Sequence, residues 1–173
     1  YKGFEIKKII TMDELINDTW KQWKTAKSAA QSLCNKTARY DMAEKLGACS
    51  MFTGNEDLEE LVKLMFTPRG VEFMTKYNFP DLETFRKFKK YHPERFGVYI
   101  DCGKISLTEV RRAFLVGNTS ATANYRETAG NRLYLMHGAT ASVTVSGYSV
   151  VKVEKDASSN IDCSINDHAK VLW

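Results

Sequence analysis

From Thr11 onward, apolar residues return every three or four positions: Leu15, Ile16, Trp20, Trp23, Ala26, Ala30, Leu33 and Cys34. That spacing gathers them on one stripe of an α-helix, and Thr11 with Glu14 has the form of a capping box at its start. The stripe continues through Tyr40, Ala43 and Leu46, with Asn35 as a weak point. Gly47 is the expected stop, because glycine accepts the left-handed conformation that ends many helices. A second helix opens at Asn55, an N-cap followed by Glu56, Asp57, Glu59 and Glu60, and buries Leu58, Leu61, Val62 and Met65. Thr67-Pro68-Arg69-Gly70 predicts a break and a restart with Pro68 at the first helical position, carrying Val71, Phe73, Met74 and Tyr77 to an end near Asn78. Phe79-Pro80-Asp81 repeats that punctuation. Asp81 caps a helix with Leu82, Phe85 and Phe88 on one face and Arg86, Lys87 and Lys90 on another, and His92-Pro93 closes it. The first half is therefore expected to be a helical bundle of roughly three to five helices between Thr11 and Tyr91.

After Gly97 the period changes to two: Val98, Ile100 and Cys102 alternate with Tyr99 and Asp101, and Ile105 and Leu107 with Ser106 and Thr108. Such alternation predicts strands. Farther on the text repeats, and its last thirty-six residues divide into four nines beginning at Gly138, Gly147, Asp156 and Ile165. Each contains a turn signal and a short alternating strand, with earlier copies at Gly117-Asn118 and Gly130-Asn131. Short strands at this spacing suit either a sandwich or a β-solenoid. Alanine, serine and threonine at the inward positions favour the solenoid, whose thin core needs small residues, whereas a sandwich needs bulky pairs from both sheets. The expected fold is thus α+β: a helical domain over residues 1–96, then a solenoid-like β domain over 97–173, with a β-sandwich as the alternative.

Composition is that of a chain able to fill a core, with 43% hydrophobic residues among 173, and a formal net charge of +4. Cys34, Cys49, Cys102 and Cys163 are scattered, with no C-x-x-C pair, so buried free thiols are expected rather than a disulfide framework or a zinc site. No stretch approaches the run of about 20 apolar residues that crosses a bilayer, and Tyr1 to Ile10 lack a signal-cleavage pattern. A cytoplasmic protein is the expectation, although an opening on Tyr1 rather than Met leaves a removed upstream segment open.

The densest chemistry is Arg86-Lys87-Phe88-Lys89-Lys90-Tyr91-His92-Pro93-Glu94-Arg95, where cations alternate with rings in the way that would neutralise phosphates and stack on bases. The same letters also describe the solvated face of an amphipathic helix with Phe85 and Phe88 in the core. Charge counting supports the second reading: residues 1–97 carry seventeen basic and fourteen acidic side chains, and the remainder eight and seven. A nucleic-acid domain concentrates more positive charge. His137 and His168, with Asp167 alongside, fall at turns and would form a catalytic pair only if the stacking brought them face to face. No nucleophile elbow, phosphate loop or H-E-x-x-H helix accompanies them. Asp156, Asp162 and Asp167 lack the glycine framework of a calcium-binding nonapeptide turn, so no metal or cofactor is expected. Trp20 and Trp23 read as core, with exposed partner anchors as the alternative.

The runs Thr67-Pro68-Arg69-Gly70-Val71-Glu72-Phe73-Met74, Asn78-Phe79-Pro80-Asp81-Leu82, Gly97-Val98-Tyr99-Ile100-Asp101 and Met136-His137-Gly138-Ala139 resemble an uncharacterised family carried by gut-type bacteria and their mobile elements. The resemblance spans roughly residues 50–173. It implies a setting of phage or plasmid conflict with the host and no site residue. The expected function is a non-enzymatic protein-interaction module. Its partner, or a second copy, would meet the C-terminal β edge at Trp173, since Val171-Leu172-Trp173 offers no polar cap. The alternative is a binder of nucleic acid or of CRISPR-type machinery using Arg86, Lys87, Lys89, Lys90 and Arg95.

Overall fold

The structure, a computed structural model, describes residues 12–37 and 58–173. Among the described residues four helices come first: α1 (Met12–Thr37), α2 (Leu58–Met65), α3 (Pro68–Tyr77) and α4 (Leu82–Phe88), followed by 3-10 turns at Lys89–Tyr91 and Pro93–Phe96. The Thr11 cap, the Tyr40 to Gly47 continuation and the Asn55 cap lie outside the described residues. Of the predicted punctuation, the Thr67 hydroxyl accepts from the Gly70 amide and Asn78 ends α3 in the left-handed conformation, φ 51°. The Asp81 carboxylate accepts from the Thr84 amide at 2.8 Å and starts α4. Most of these helices are short, and they form a layer on a sheet; the expected self-contained bundle is not what the described residues show. None is long and apolar enough to cross a membrane.

Nine strands follow: β1 (Val98–Ile100), β2 (Gly103–Thr108), β3 (Arg112–Val116), β4 (Thr119–Tyr125), β5 (Gly130–Met136), β6 (Thr140–Val145), β7 (Val150–Lys155), β8 (Asn160–Ile165) and β9 (Lys170–Leu172). The odd strands make one sheet in the order β1-β3-β5-β7-β9 and the even strands another, β2-β4-β6-β8. All pairs are parallel and join strands two apart in sequence. A sandwich built of hairpins would pair neighbours antiparallel; here the chain runs out along one sheet and back along the other, which is a parallel β-solenoid of about four turns.

The repeat is ten residues rather than nine. From Thr140 onward a six-residue strand and a four-residue corner alternate, so strands start at Thr140, Val150, Asn160 and Lys170. Two units close one coil, and the register confirms it: Thr140 lies beside Asn160 and Val150 beside Lys170. Each corner tucks one small residue inside, Ala139, Ser149, Ser159 or Ala169, at 8% exposure or less. At Gly117, the β3–β4 corner, φ is +67° and a Cβ would come within 2.5 Å of Asp101 Oδ1. Only glycine fits.

Inside the coils, Ala121, Ala123 and Ala141 of the even sheet face a wall that includes Leu133 and Leu135 of the odd one. The expected core of small residues holds only for these alanines: Leu107, Tyr125, Val143 and Val145 are buried on the same wall, while Ser120, Thr122, Ser142 and Thr144 face outward. A second core lies outside the odd sheet, where Phe114, Val116, Tyr134 and Met136 point away from the coil into Phe66, Phe73, Phe85 and Trp23 of the helical layer. Trp23 anchors α1 there, its ring 4.8 Å from Phe73 and 5.2 Å from Phe79. Trp20 is half-buried beneath Lys24 instead, with the ammonium 3.6 Å from its ring centroid.

Two substitutions test this packing. Tyr125 Oη is buried within the coil without a hydrogen-bond partner, and burial pushes its pKa up to about 12. An orphaned hydroxyl costs about 1–3 kcal/mol, so Tyr125→Phe is expected to raise the melting temperature; a fall would show that the hydroxyl has a favourable contact. Gly117→Ala is expected to destabilise by about 2 kcal/mol or more in a denaturant titration, through strain and the clash with Asp101.

Candidate functional site

The basic segment is largely committed to holding the two layers together. Arg86 Nε donates to Asp101 Oδ2 at 2.6 Å, and Lys89 Nζ donates to the Asp101 carbonyl at 2.9 Å. Asp101 occupies the β1–β2 corner in the left-handed conformation and also accepts from the Asn118 amide of the next coil at 2.7 Å. The hydrogen bond from Arg86 holds its carboxyl below the usual range, against the opposing effect of burial. Lys87 lies 3.8 Å from Asp18 of α1. Lys90 and Arg95 sit over the neighbouring rings of Tyr91 and Phe96, 5.1 and 4.7 Å from the centroids. The five cations therefore point in several directions, and the most engaged pair fastens the helices to the first coil.

Carboxylates recur at the corners for the same purpose. Glu109 accepts from the amides of Arg126 and Glu127, Asp156 from that of His137 at 2.8 Å, and Asp167 from that of Gly147 at 3.0 Å. Each bond ties one coil to the next. Asp162, the third aspartate, is exposed on β8. Burial pushes the Asp156 carboxyl up, but the His137 amide and the hydroxyls of Ser159 and Ser158 outweigh it and hold the pKa below the ordinary value.

The histidines do not form a pair. His137 is in a corner leading from the odd to the even sheet and His168 in one leading back, so they occupy opposite long edges of the solenoid. His137 Nε2 is 2.7 Å from the Pro80 carbonyl, its ring edge-on to Phe85 at 5.5 Å, which makes it part of the helical docking surface. His168 is stacked on Tyr148, centroids 4.9 Å apart and planes 12° from parallel. The thiols of Cys102 and Cys163 are free, and burial pushes both pKa values up, away from the nucleophilic thiolate. Among the described residues no three His, Cys, Asp or Glu side chains are grouped to hold a metal.

What remains is a surface at the C-terminal end. Trp173 is 70% exposed and Leu172 48%. The indole lines a groove of about 850 Å³, with Glu72, Lys76 and Asn78 of α3 and its cap on one side and Lys155 and Asp156 of the β7–β8 corner on the other. Elsewhere on the last coils, Tyr148 and Ile165 are 62% and 51% exposed. A flat apolar ring beside side chains of both signs makes the groove a candidate contact surface. Sequence reasoning found Trp173 but missed Lys76, Lys155 and Tyr148; the twenty-residue step that lays Tyr148 over His168 was the available signal. No known protein family, curated protein or solved structure matches the chain.

The corner bonds carry a pH dependence. With its folded pKa depressed, Asp156 contributes stability that is fully present above the unfolded value of 3.8 and lost as pH falls through the folded value. Asp156→Ala is expected to cost about 2 kcal/mol at neutral pH. Its deficit relative to the parent protein should shrink as unfolding is measured from about pH 6 down to about pH 2. A deficit independent of pH would place the effect in packing.

Proposed function

We propose that this chain is a non-enzymatic protein-interaction module, which grips a partner polypeptide in the groove between α3 and the β7–β8 corner with Trp173 as the anchor. The observation that carries this reading is the exposure of that indole, 70%, at the wall of the groove. Exposed aromatic side chains beside a polar rim are the usual energetic centre of protein interfaces. Glu72 and Lys76 on one wall and Lys155 and Asp156 on the other give the rim both signs, so partner recognition is set by charge order.

The alternative, a nucleic-acid binder built on Arg86 to Arg95, has less support, because Arg86 and Lys89 already donate to Asp101. We place the module in the cytoplasm, on the free Cys102 and Cys163.

Affinity capture from the native host with the full chain tests the proposal. Trp173→Ala should reduce recovery of the specific partners by about thirtyfold or more, as loss of an anchor costs upward of about 2 kcal/mol. Lys76→Glu should change which partners are retained. An unchanged partner set in both variants sinks the reading.

A further inference from the structure

We infer that the outer face of the odd sheet carries a separate binding site for a small anion bearing two phosphoryl groups, held between Arg112 and Arg132 with Lys152 at its rim. The parallel register puts Arg112 directly beside Arg132, and Arg132 directly beside Lys152. Neighbouring strands are about 4.8 Å apart, so three cations stand in one column across three successive coils. Like charges opposite one another in a sheet destabilise it. A fold held by stacking has no structural use for such a column.

Carboxylates nearby offset only part of it: Glu72 and Glu154 both favour the charged forms of Arg132 and Lys152. Arg111 pairs with Glu127 and with Glu109, and Lys152 with Glu154 at 3.0 Å. Among the described residues, no carboxylate oxygen is paired with the guanidinium of Arg112 or of Arg132. The sole hydrogen bond of the Arg132 side chain is a long one, 3.5 Å, to the Tyr134 hydroxyl. Arg112 is half-buried, and a guanidinium partly withdrawn from water without a counter-ion gains from acquiring one.

The shape of the surface limits what that counter-ion is. The column lines a concavity of about 430 Å³, closed by Pro68 on one side and Leu172 on another. That volume belongs to the range of small-molecule sites. Each guanidinium presents a planar fork suited to two oxygens of one tetrahedral group. Two forks on adjacent coils match two linked phosphoryl groups better than a single phosphate or a lone carboxylate. This site shares no lining residue with the Trp173 groove and stands independently of it.

Titration calorimetry of the full chain with inorganic pyrophosphate at low salt tests the inference, with orthophosphate, sulfate and a series of single-stranded oligonucleotides as comparison arms. Pyrophosphate is expected to bind at least about tenfold more tightly than orthophosphate or sulfate and to weaken as salt is added. Arg112→Gln and Arg132→Gln should each weaken it about tenfold or more. Arg132→Lys should fall between, since it keeps the charge and loses the fork. Arg132→Gln should leave the unfolding midpoint unchanged or raise it, whereas loss of a structural arginine would lower it, and Lys104→Gln on the outer face of the even sheet should leave binding unchanged. Absence of pyrophosphate binding at low salt would overturn the inference, as would an affinity in either glutamine variant equal to that of the parent protein. Oligonucleotide affinity that grows with strand length while pyrophosphate fails would assign the column to nucleic acid and also overturn it.

Discussion

Parallel pairing between coils requires that every coil return to the same place, and the rest of this structure follows from meeting that demand. A strand displaced by one residue would turn its apolar side outward. The chain fixes the return at the corners. One small residue is buried at each of the later corners, and carboxylates of Asp101, Glu109, Asp156 and Asp167 reach from one coil to the backbone amides of another. Amides at a tight corner point away from the ladder and need an acceptor. A carboxylate one coil away supplies it and sets the stacking distance at the same time. Charge at the corners is therefore structural, which explains why so many acidic side chains of the second half are engaged.

Helices complete what the coils leave open, and they do so over only part of the odd sheet. Phe114, Val116, Tyr134 and Met136 are buried under them, whereas Lys152 and Glu154 on the next strand are partly open to water. The helical layer thus ends in a step. α3 lies along that step: Pro68 at its first turn walls the cationic concavity, and Asn78 at its cap lines the Trp173 groove. Both proposed surfaces arise where a rigid helix borders a flat sheet, the kind of junction at which concave sites form.

Local signals were legible and long-range ones were not. Thr67, Pro68, Asn78 and Asp81 announced the helix ends because caps are decided by residues within one turn of each other. Alternation around Val98 and Ile105 announced strands for the same reason. The unit length was misread as nine because glycine marks only some corners; Ala157-Ser158 and Asp167-His168 turn without one. Sequence left open whether His137 and His168 meet. Their corners turn in opposite senses, a fact that depends on which sheet each strand joins and that no nearby residue records. The bulky inner wall of Leu133 and Leu135 went unnoticed for a similar reason: a core shared by two sheets averages their sizes, and only the pairing tells which residues face which.

The charges show most plainly why contiguity in the chain is a poor guide in a stacked fold. Arg86 to Arg95 is the densest basic run in the sequence, yet folding disperses its members toward Asp101, Asp18 and neighbouring rings. Arg112, Arg132 and Lys152 stand twenty residues apart, form no motif, and sit in a half of the chain that is almost electrically balanced. The coil period brings those three together. Any side chain repeated at that interval becomes a column, so a solenoid can assemble a concentrated charge from residues that composition, local windows and short patterns all treat as isolated. In such a fold the interval between like residues carries more functional information than their density, and it becomes readable once the true period is known.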